Sequence, residues 1–255
     1  MPPKTPFLRN WAGVFFLLAL LVRAHGGDTH QFLLRAEAEF LRAQKVFNAA
    51  TNDAAARLQF ARASFLYADL ATNETQRAGI AQTGIAVCRQ WLAGDPKSAP
   101  AHYYLAATLG ELAQAEAPSI AAYLRVYEVE REFKAAAELD LRLDYAGPAR
   151  TLGELYFQAP GWPLSIGSKD QAREWLERAA ALAPEYPENW LNLAEAHLKW
   201  REKDGAAQAL RQLDAGWAAA QTNFAGPLRE GDWLDWTTRR AAARAEFQTR
   251  FKTAP

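Results

Sequence analysis

Apolar residues recur at three- and four-residue steps along nearly the whole chain, and no stretch alternates apolar with polar long enough to build a sheet. The pattern predicts an all-α protein. Helix-breaking clusters divide it into about ten helices, near residues 28–50, 53–71, 74–93, 99–115, 118–141, 146–158, 168–183, 187–202, 204–220 and 232–251. The clearest separators are Thr51-Asn52-Asp53, Thr72-Asn73-Glu74, the stretch Gly94–Pro100 and the stretch Arg201–Gly205. Short oxygen-bearing side chains there can accept from the first free amides of a helix, and Asp232 is placed to do so for the last one.

The first 24 residues follow a different pattern. Lys4 and Arg9 precede an unbroken apolar run, Trp11–Val22, and Val22 and Ala24 then stand at the −3 and −1 positions of a signal-peptidase site. The run is short for a membrane span at about 1.5 Å per residue, so it reads as a secretory signal. An uncleaved anchor is the rival reading, and only in that case does the chain touch a membrane. Cleavage before His25 leaves 26 basic against 29 acidic side chains, a charge of −3. The four segments expected are residues 1–24 as signal peptide, 25–98 as N-terminal helices, 99–220 as repeats and 221–255 as a C-terminal capping helix.

The repeat emerges from spacing. Ala172 and Ala206 are 34 residues apart, and so are Leu176 and Leu210. Trp190, Leu193, Ala194, His197, Ala206 and Leu210 follow one large–small–aromatic pattern; Leu152, Gly153, Tyr156, Ala172, Leu176, Ala179 and Pro184 follow it one unit earlier. On these residues the chain resembles the tetratricopeptide-repeat (TPR) family, whose helix-turn-helix unit has this period. The resemblance implies a solenoid of helix pairs closed by a capping helix. Leu152 to Leu193 is 41 residues, an excess of 7 that falls between Tyr156 and Ala172. The stretch Gln158–Asp170, with Pro160, Trp162, Pro163 and Gly167, is therefore an enlarged turn inside one repeat. Leu105 to Leu152 is 47 residues, an excess of 13, which we assign to lengthened helices across 99–141.

A narrower resemblance rests on Arg150, Leu152, Gly153, Leu155, Tyr156, Pro160, Pro163, Gly167 and Ala172. In this order they look like the periplasmic T component of tripartite ATP-independent periplasmic (TRAP) transporters, over roughly residues 80–215. That resemblance implies a periplasmic accessory protein working with a TRAP solute receptor and a small organic ligand. This chain lacks the lipid-carrying cysteine of the family's lipid-anchored members.

Composition narrows the function classes. A mildly acidic chain without a basic cluster is poorly suited to nucleic acid. Cys88 is alone, so no intrachain disulfide can form, and its apolar neighbours mark a small core residue. No phosphate loop, paired-cysteine metal spacing, His-Glu-x-x-His or Gly-x-Ser-x-Gly occurs, so we expect no enzyme, no metal and no cofactor. A cell-wall glycan lyase or hydrolase working with one glutamate, Glu111 or Glu154, is the enzymatic alternative. His197 and His102 fall on packing positions of the repeat.

The TPR resemblance implies that the first helix of each pair lines the concave side. Counting along the repeat, the lining residues are Arg150, Glu154 and Gln158 in one unit, Glu195 and Lys199 in the next, and Tyr103 and Glu111 earlier. Arg150, Glu154 and Gln158 form one stripe at i, i+4 and i+8, with an Arg150–Glu154 pair expected within it. Trp162, between two prolines, either plugs the end of the repeat pair or stands at the rim of the groove; burial is the expectation, because an exposed tryptophan is costly. The function expected is a non-enzymatic periplasmic scaffold that takes a protein partner or peptide segment in this groove.

Overall fold

The computed structural model describes residues 28–226 and 229–254. The expected signal segment, its cleavage site and His25 lie outside them. The described residues form ten helices: α1 (Asp28–Ala49), α2 (Ala54–Asp69), α3 (Glu74–Gly94), α4 (Ala99–Ala115), α5 (Ile120–Leu139), α6 (Leu143–Gln158), α7 (Lys169–Leu182), α8 (Pro187–Trp200), α9 (Lys203–Asn223) and α10 (Glu230–Phe251). No extended strand is present among them; there is a single isolated bridge, Gly161 to Gly167.

Helix starts follow local chemistry. Side chains of Asp53, Asn73, Ser98, Ser119 and Ser168 each accept from the amide three residues on and so satisfy a donor that a helix leaves free. Asp232 does not act in this way. α10 begins at Glu230, and Asp232 sits in its first turn, where it binds Arg229 at 2.8 Å. An anion there still favours the helix, because the N-terminal end of the peptide dipole is positive.

The helices group into two compact units, one ending at Asp140 and the other starting at Leu141. In the first, each helix from α2 to α5 packs on its predecessor, and α4 also reaches α2. In the second, α6 pairs with α7 and α8 with α9. α8 touches both members of the first pair, and α10 touches both members of the second, so α10 stands where the first helix of a further pair would stand. Trp236, Ala243 and Phe247 of α10 are buried in that seat, with Trp236 edge-on to Tyr186.

Small residues allow the close approach inside pairs. A methyl group added at Gly153 on α6 would lie 2.7 Å from Leu176 Cγ and Cδ2 on α7. At the turn into α9, Glu202 accepts from Arg173 of α7 at 2.7 and 2.9 Å and meets Lys169 and His197 at 2.8 Å. The bidentate Arg173 contact, aided by the others, holds this carboxyl below the usual carboxylate range. His197 is thus a packed core residue, and His102 is likewise tied to Glu132 at 2.6 Å.

The enlarged turn lies between α6 and α7, and it is bonded to itself. Gly167 N donates to Pro160 O at 2.8 Å, Ser168 N to Tyr156 O at 3.0 Å, and Leu164 N to Gly161 O at 3.1 Å. A Cβ at Gly167 would fall 1.9 Å from the Ala159 carbonyl oxygen, so only glycine fits there.

Gly153→Leu should lower the melting temperature of the second unit by an amount corresponding to about 1–3 kcal/mol, since the added carbons must push α7 away from α6. Thermal unfolding followed by circular dichroism measures it; an unchanged midpoint would mean that the two helices are not locked at this position.

Candidate functional site on the shared face of α6, α8 and α10

α6, α8 and α10 stand side by side in the second unit and present one face together. Asn192 on α8 links its neighbours: its Nδ2 donates to Glu154 Oε1 on α6, and its Oδ1 accepts from Arg239 Nη2 on α10. Arg239 also grips Glu195 with two bonds, Nε to Oε1 at 2.9 Å and Nη2 to Oε2 at 2.8 Å, and reaches Asp235 Oδ2 at 3.3 Å. One polar path therefore crosses three helices, Glu154–Asn192–Arg239–Glu195. The other oxygen of Asp235, Oδ1, is shielded from solvent and has no hydrogen-bond partner.

A second group sits deeper. Arg150 is buried, within 3.5 Å of Asp144 and 3.6 Å of Glu188, and its guanidinium lies 4.8 Å from the centre of the Tyr186 ring. It donates to the Tyr145 carbonyl at 3.2 Å and to Asn189 Oδ1 at 3.4 Å. Asp144, Tyr145 and Ala146 have φ of 49°, 56° and 61°, so regular helix begins only after them, as the sequence pattern places it. Three successive left-handed residues without a glycine cost about 1–3 kcal/mol each. They persist because Arg150 and Asn189 bind the carbonyls that the turn points inward.

Burial sets the protonation of this face. It pushes the Glu154 carboxyl up to about 7, with Glu188 adding to the rise and Arg239 and Arg150 opposing it. It pushes Asp235 up to about 7 as well, against the pull of Arg239. Arg239 is held charged, because the attraction of Glu195, Asp235 and Glu188 outweighs its own desolvation.

The residues expected in a groove have separate fates. Glu154 and Glu195 meet on this face, each half-buried, and Arg150 lies beneath it. Gln158 is half-buried at the end of α6, and Lys199 is exposed, its Nζ 5.1 Å from the centre of the Phe157 ring. Tyr103 and Glu111 do not line a groove. Both are buried in the first unit, Tyr103 against Tyr104 and Phe133, and Glu111, 1% exposed, beside Arg77 at 3.7 Å. A glycan acid must touch its substrate, and Glu111 has no surface to do so. Burial, together with Asp69, drives its carboxyl well above the usual range. Trp162 corrects the expectation of burial: it is 88% exposed at the tip of the self-bonded turn.

Sequence reasoning missed Asn189, Asn192, Asp235 and Arg239. Two asparagines at i and i+3 beside Leu191 and Leu193 in α8 were a usable signal, because a polar side chain on a core face must find partners. Asp235 and Arg239 also stand at i and i+4. Cys88 is buried as expected, and desolvation pushes its thiol up to about 12, which leaves it inert at neutral pH. Among the described residues no three His, Cys, Asp or Glu side chains converge as metal ligands, and no helix is long and apolar enough to cross a membrane.

No family model matches the chain, and no curated protein does. Among solved structures, the crystal structure of a thermophilic TPR protein from Thermus thermophilus is similar at 20% sequence identity and a TM-score of 0.58. The match covers 85% of this chain and 94% of that one. The likeness shows a TPR-like helical fold.

The two raised carboxyls give this unit an unusual pH response. A carboxyl with a higher pKa folded than unfolded binds its proton more tightly in the native state. Their contribution to stability therefore falls as pH rises from about 5 to about 7, and is flat above that. Glu154→Gln keeps the bond from Asn192 and removes the titration. It should raise stability at pH 8 by about 1 kcal/mol or more and flatten the slope between pH 5 and 7. Urea unfolding at several pH values reads both; an unchanged slope would show that Glu154 is ionised throughout.

Proposed function

We propose that the chain is a non-enzymatic scaffold, exported to the periplasm, that holds a segment of a partner protein across the shared face of α6, α8 and α10. The observation that carries this reading is the polar path Glu154–Asn192–Arg239–Glu195, drawn from three helices onto one face, with Asn192 buried and the three charged residues half-buried there. Half-buried polar groups in a low-dielectric setting bind a matching partner more strongly than solvated ones do. The TPR-like fold supports the reading, since stacked helix pairs offer extended surfaces for chain segments.

Charge narrows the partner. Asp144, Glu154, Glu188, Glu195 and Asp235 surround two guanidinium groups, Arg150 and Arg239, while the neighbouring Arg229 is matched by its own carboxylate, Asp232. A segment bearing lysine, arginine or backbone amide donors complements that balance; an acidic one does not. The Trp162 turn frames the segment in this proposal, with a rigid aromatic side chain free to cover it. Export rests on the Trp11–Val22 run and the site after it. The TRAP-type role, with its small organic ligand, rests on the Arg150–Ala172 motif.

The test begins with capture of envelope proteins on the purified chain, followed by affinity measurement for the captured partner. Changing Glu188 and Glu195 together to glutamine removes two charges and keeps both acceptors. Partner affinity should fall about tenfold or more, with circular dichroism unchanged. Replacing Pro160–Ile166 by a short Gly-Ser linker should weaken binding as well; equal affinity would make the turn a mere spacer. Saturable binding of a free small organic acid, with no protein captured, would favour the transporter-accessory role over a peptide scaffold.

A further inference from the structure

His102 stands in the first turn of α4, and both of its ring nitrogens are engaged. Nδ1 lies 2.6 Å from Glu132 Oε2 on α5, and Nε2 lies 3.1 Å from the carbonyl oxygen of Pro96, in the turn between α3 and α4. Both partners are acceptors. A carbonyl has no proton to give, and Arg131 donates to the other oxygen of Glu132 at 2.8 and 3.1 Å, which pairs that carboxylate as an anion. A neutral imidazole has one donor and one acceptor, so it can satisfy only one of the two contacts. An imidazolium has two donors and satisfies both. His197 is the contrasting case: its Nδ1 faces Glu202 at 2.8 Å, and a neutral ring with its proton there meets that contact.

We propose that His102 is a proton-dependent clasp, which ties the α3–α4 turn to α5 when its ring carries two protons and releases the turn when it carries one. Burial decides which contact gives way. The Glu132 side chain is 9% exposed, so water replaces a lost partner poorly there. Pro96 is exposed, and its carbonyl can turn to water. The remaining proton therefore stays on Nδ1, and Nε2 lets go. Histidine is the side chain whose charge ordinarily changes between about pH 5 and 8, so the clasp closes on the acid side. The charges around it are few. Glu132 and Arg131 face the ring from α5, and Glu128, one turn away, is held by Arg89 of α3 at 3.0 Å. Asp95 and Lys97 flank Pro96 in the turn, both exposed. The α2 charge that acts on α4, Asp69, acts on Glu111 towards the other end of the helix. The peptide dipole at the start of α4 opposes a cation, so closure depends on the two acceptors. The turn so held also contains Ser98, the cap of α4, which places the clasp at the point where that helix begins. None of this uses the α6–α8–α10 face, and the two proposals stand or fall separately.

Ring-nitrogen NMR on the folded, nitrogen-labelled chain tests the clasp between about pH 5 and about pH 9. At the acid end both nitrogens of His102 should carry protons. As pH rises, Nε2 should lose its proton while Nδ1 keeps its own. The backbone amides of Lys97, which shares a peptide unit with the Pro96 carbonyl, and of Ser98 should shift with the same midpoint. The wild-type chain alone carries this result. His102→Gln is the control, because its carboxamide keeps a donor for Glu132 and does not titrate; the Lys97 and Ser98 amides should then lose that midpoint. A His102 ring that holds the same number of protons across the whole range would overturn the proposal. So would loss of the proton from Nδ1 in place of Nε2, a deprotonation that leaves both amides where they were, or a midpoint that persists in His102→Gln.

Discussion

The second unit depends on one buried carboxamide. Asn189 is fully enclosed, and each of its atoms that can bond does so. Its Nδ2 donates to the Ala179 and Ala183 carbonyls at 3.3 and 2.9 Å at the C-terminal end of α7, where each also accepts a backbone amide, and to Tyr145 O at 3.1 Å. Its Oδ1 accepts from Arg150. One side chain on α8 thus caps α7, fixes the left-handed entry to α6 and seats the guanidinium beneath the polar face. An alanine there would remove all four of these bonds at once; each partner keeps one other, the carbonyls from backbone amides or from Arg150, so the junction would be loosened on three helices together.

That constraint explains how the face can be charged at all. Ionised groups survive burial only where partners replace water. Arg150 has its partners from the turn and from α8, and Arg239 has them from Asn192, Glu195 and Asp235. α10 therefore does more than cover an apolar end with Trp236 and Phe247; it delivers the second cation to carboxylates that α6 and α8 present. The carboxylates still outnumber the cations, and two of them respond by holding protons near neutrality. A partner that brings positive charge relieves the same imbalance that a proton relieves.

Much of the architecture was legible because it is local. Asp53, Asn73, Ser98 and Ser168 announce helix starts through chemistry that needs no knowledge of the fold. The 34-residue spacing placed the two regular pairs, and the misfit at 41 located the enlarged turn. The site was only half legible. Arg150, Glu154 and Glu195 could be counted from the repeat, but Arg239 lies beyond the last repeat, in a helix with nothing to count from. Tyr103 and Glu111 were placed by the same counting in a unit whose helices are longer, and there it pointed to buried positions. Trp162 defied a composition argument because its setting is set by backbone: Gly161 and Gly167 close the turn through main-chain bonds and need no aromatic plug.

Two exposed apolar features therefore carry different weight. Trp162 is a single side chain on a turn that is already satisfied, and a lone exposed hydrophobic residue is ordinary on a folded surface. Its meaning comes from the polar face that it would border, and without a partner there it means little. The α5 stripe is different in kind. Ile120, Leu124 and Tyr127 repeat at helical spacing, and the same helix buries a matched stripe on its other side. A helix that is apolar on two faces is built to be covered on both, because each exposed face keeps its hydration cost until something displaces the water. Only one of the two covers, α4, is supplied within the first unit.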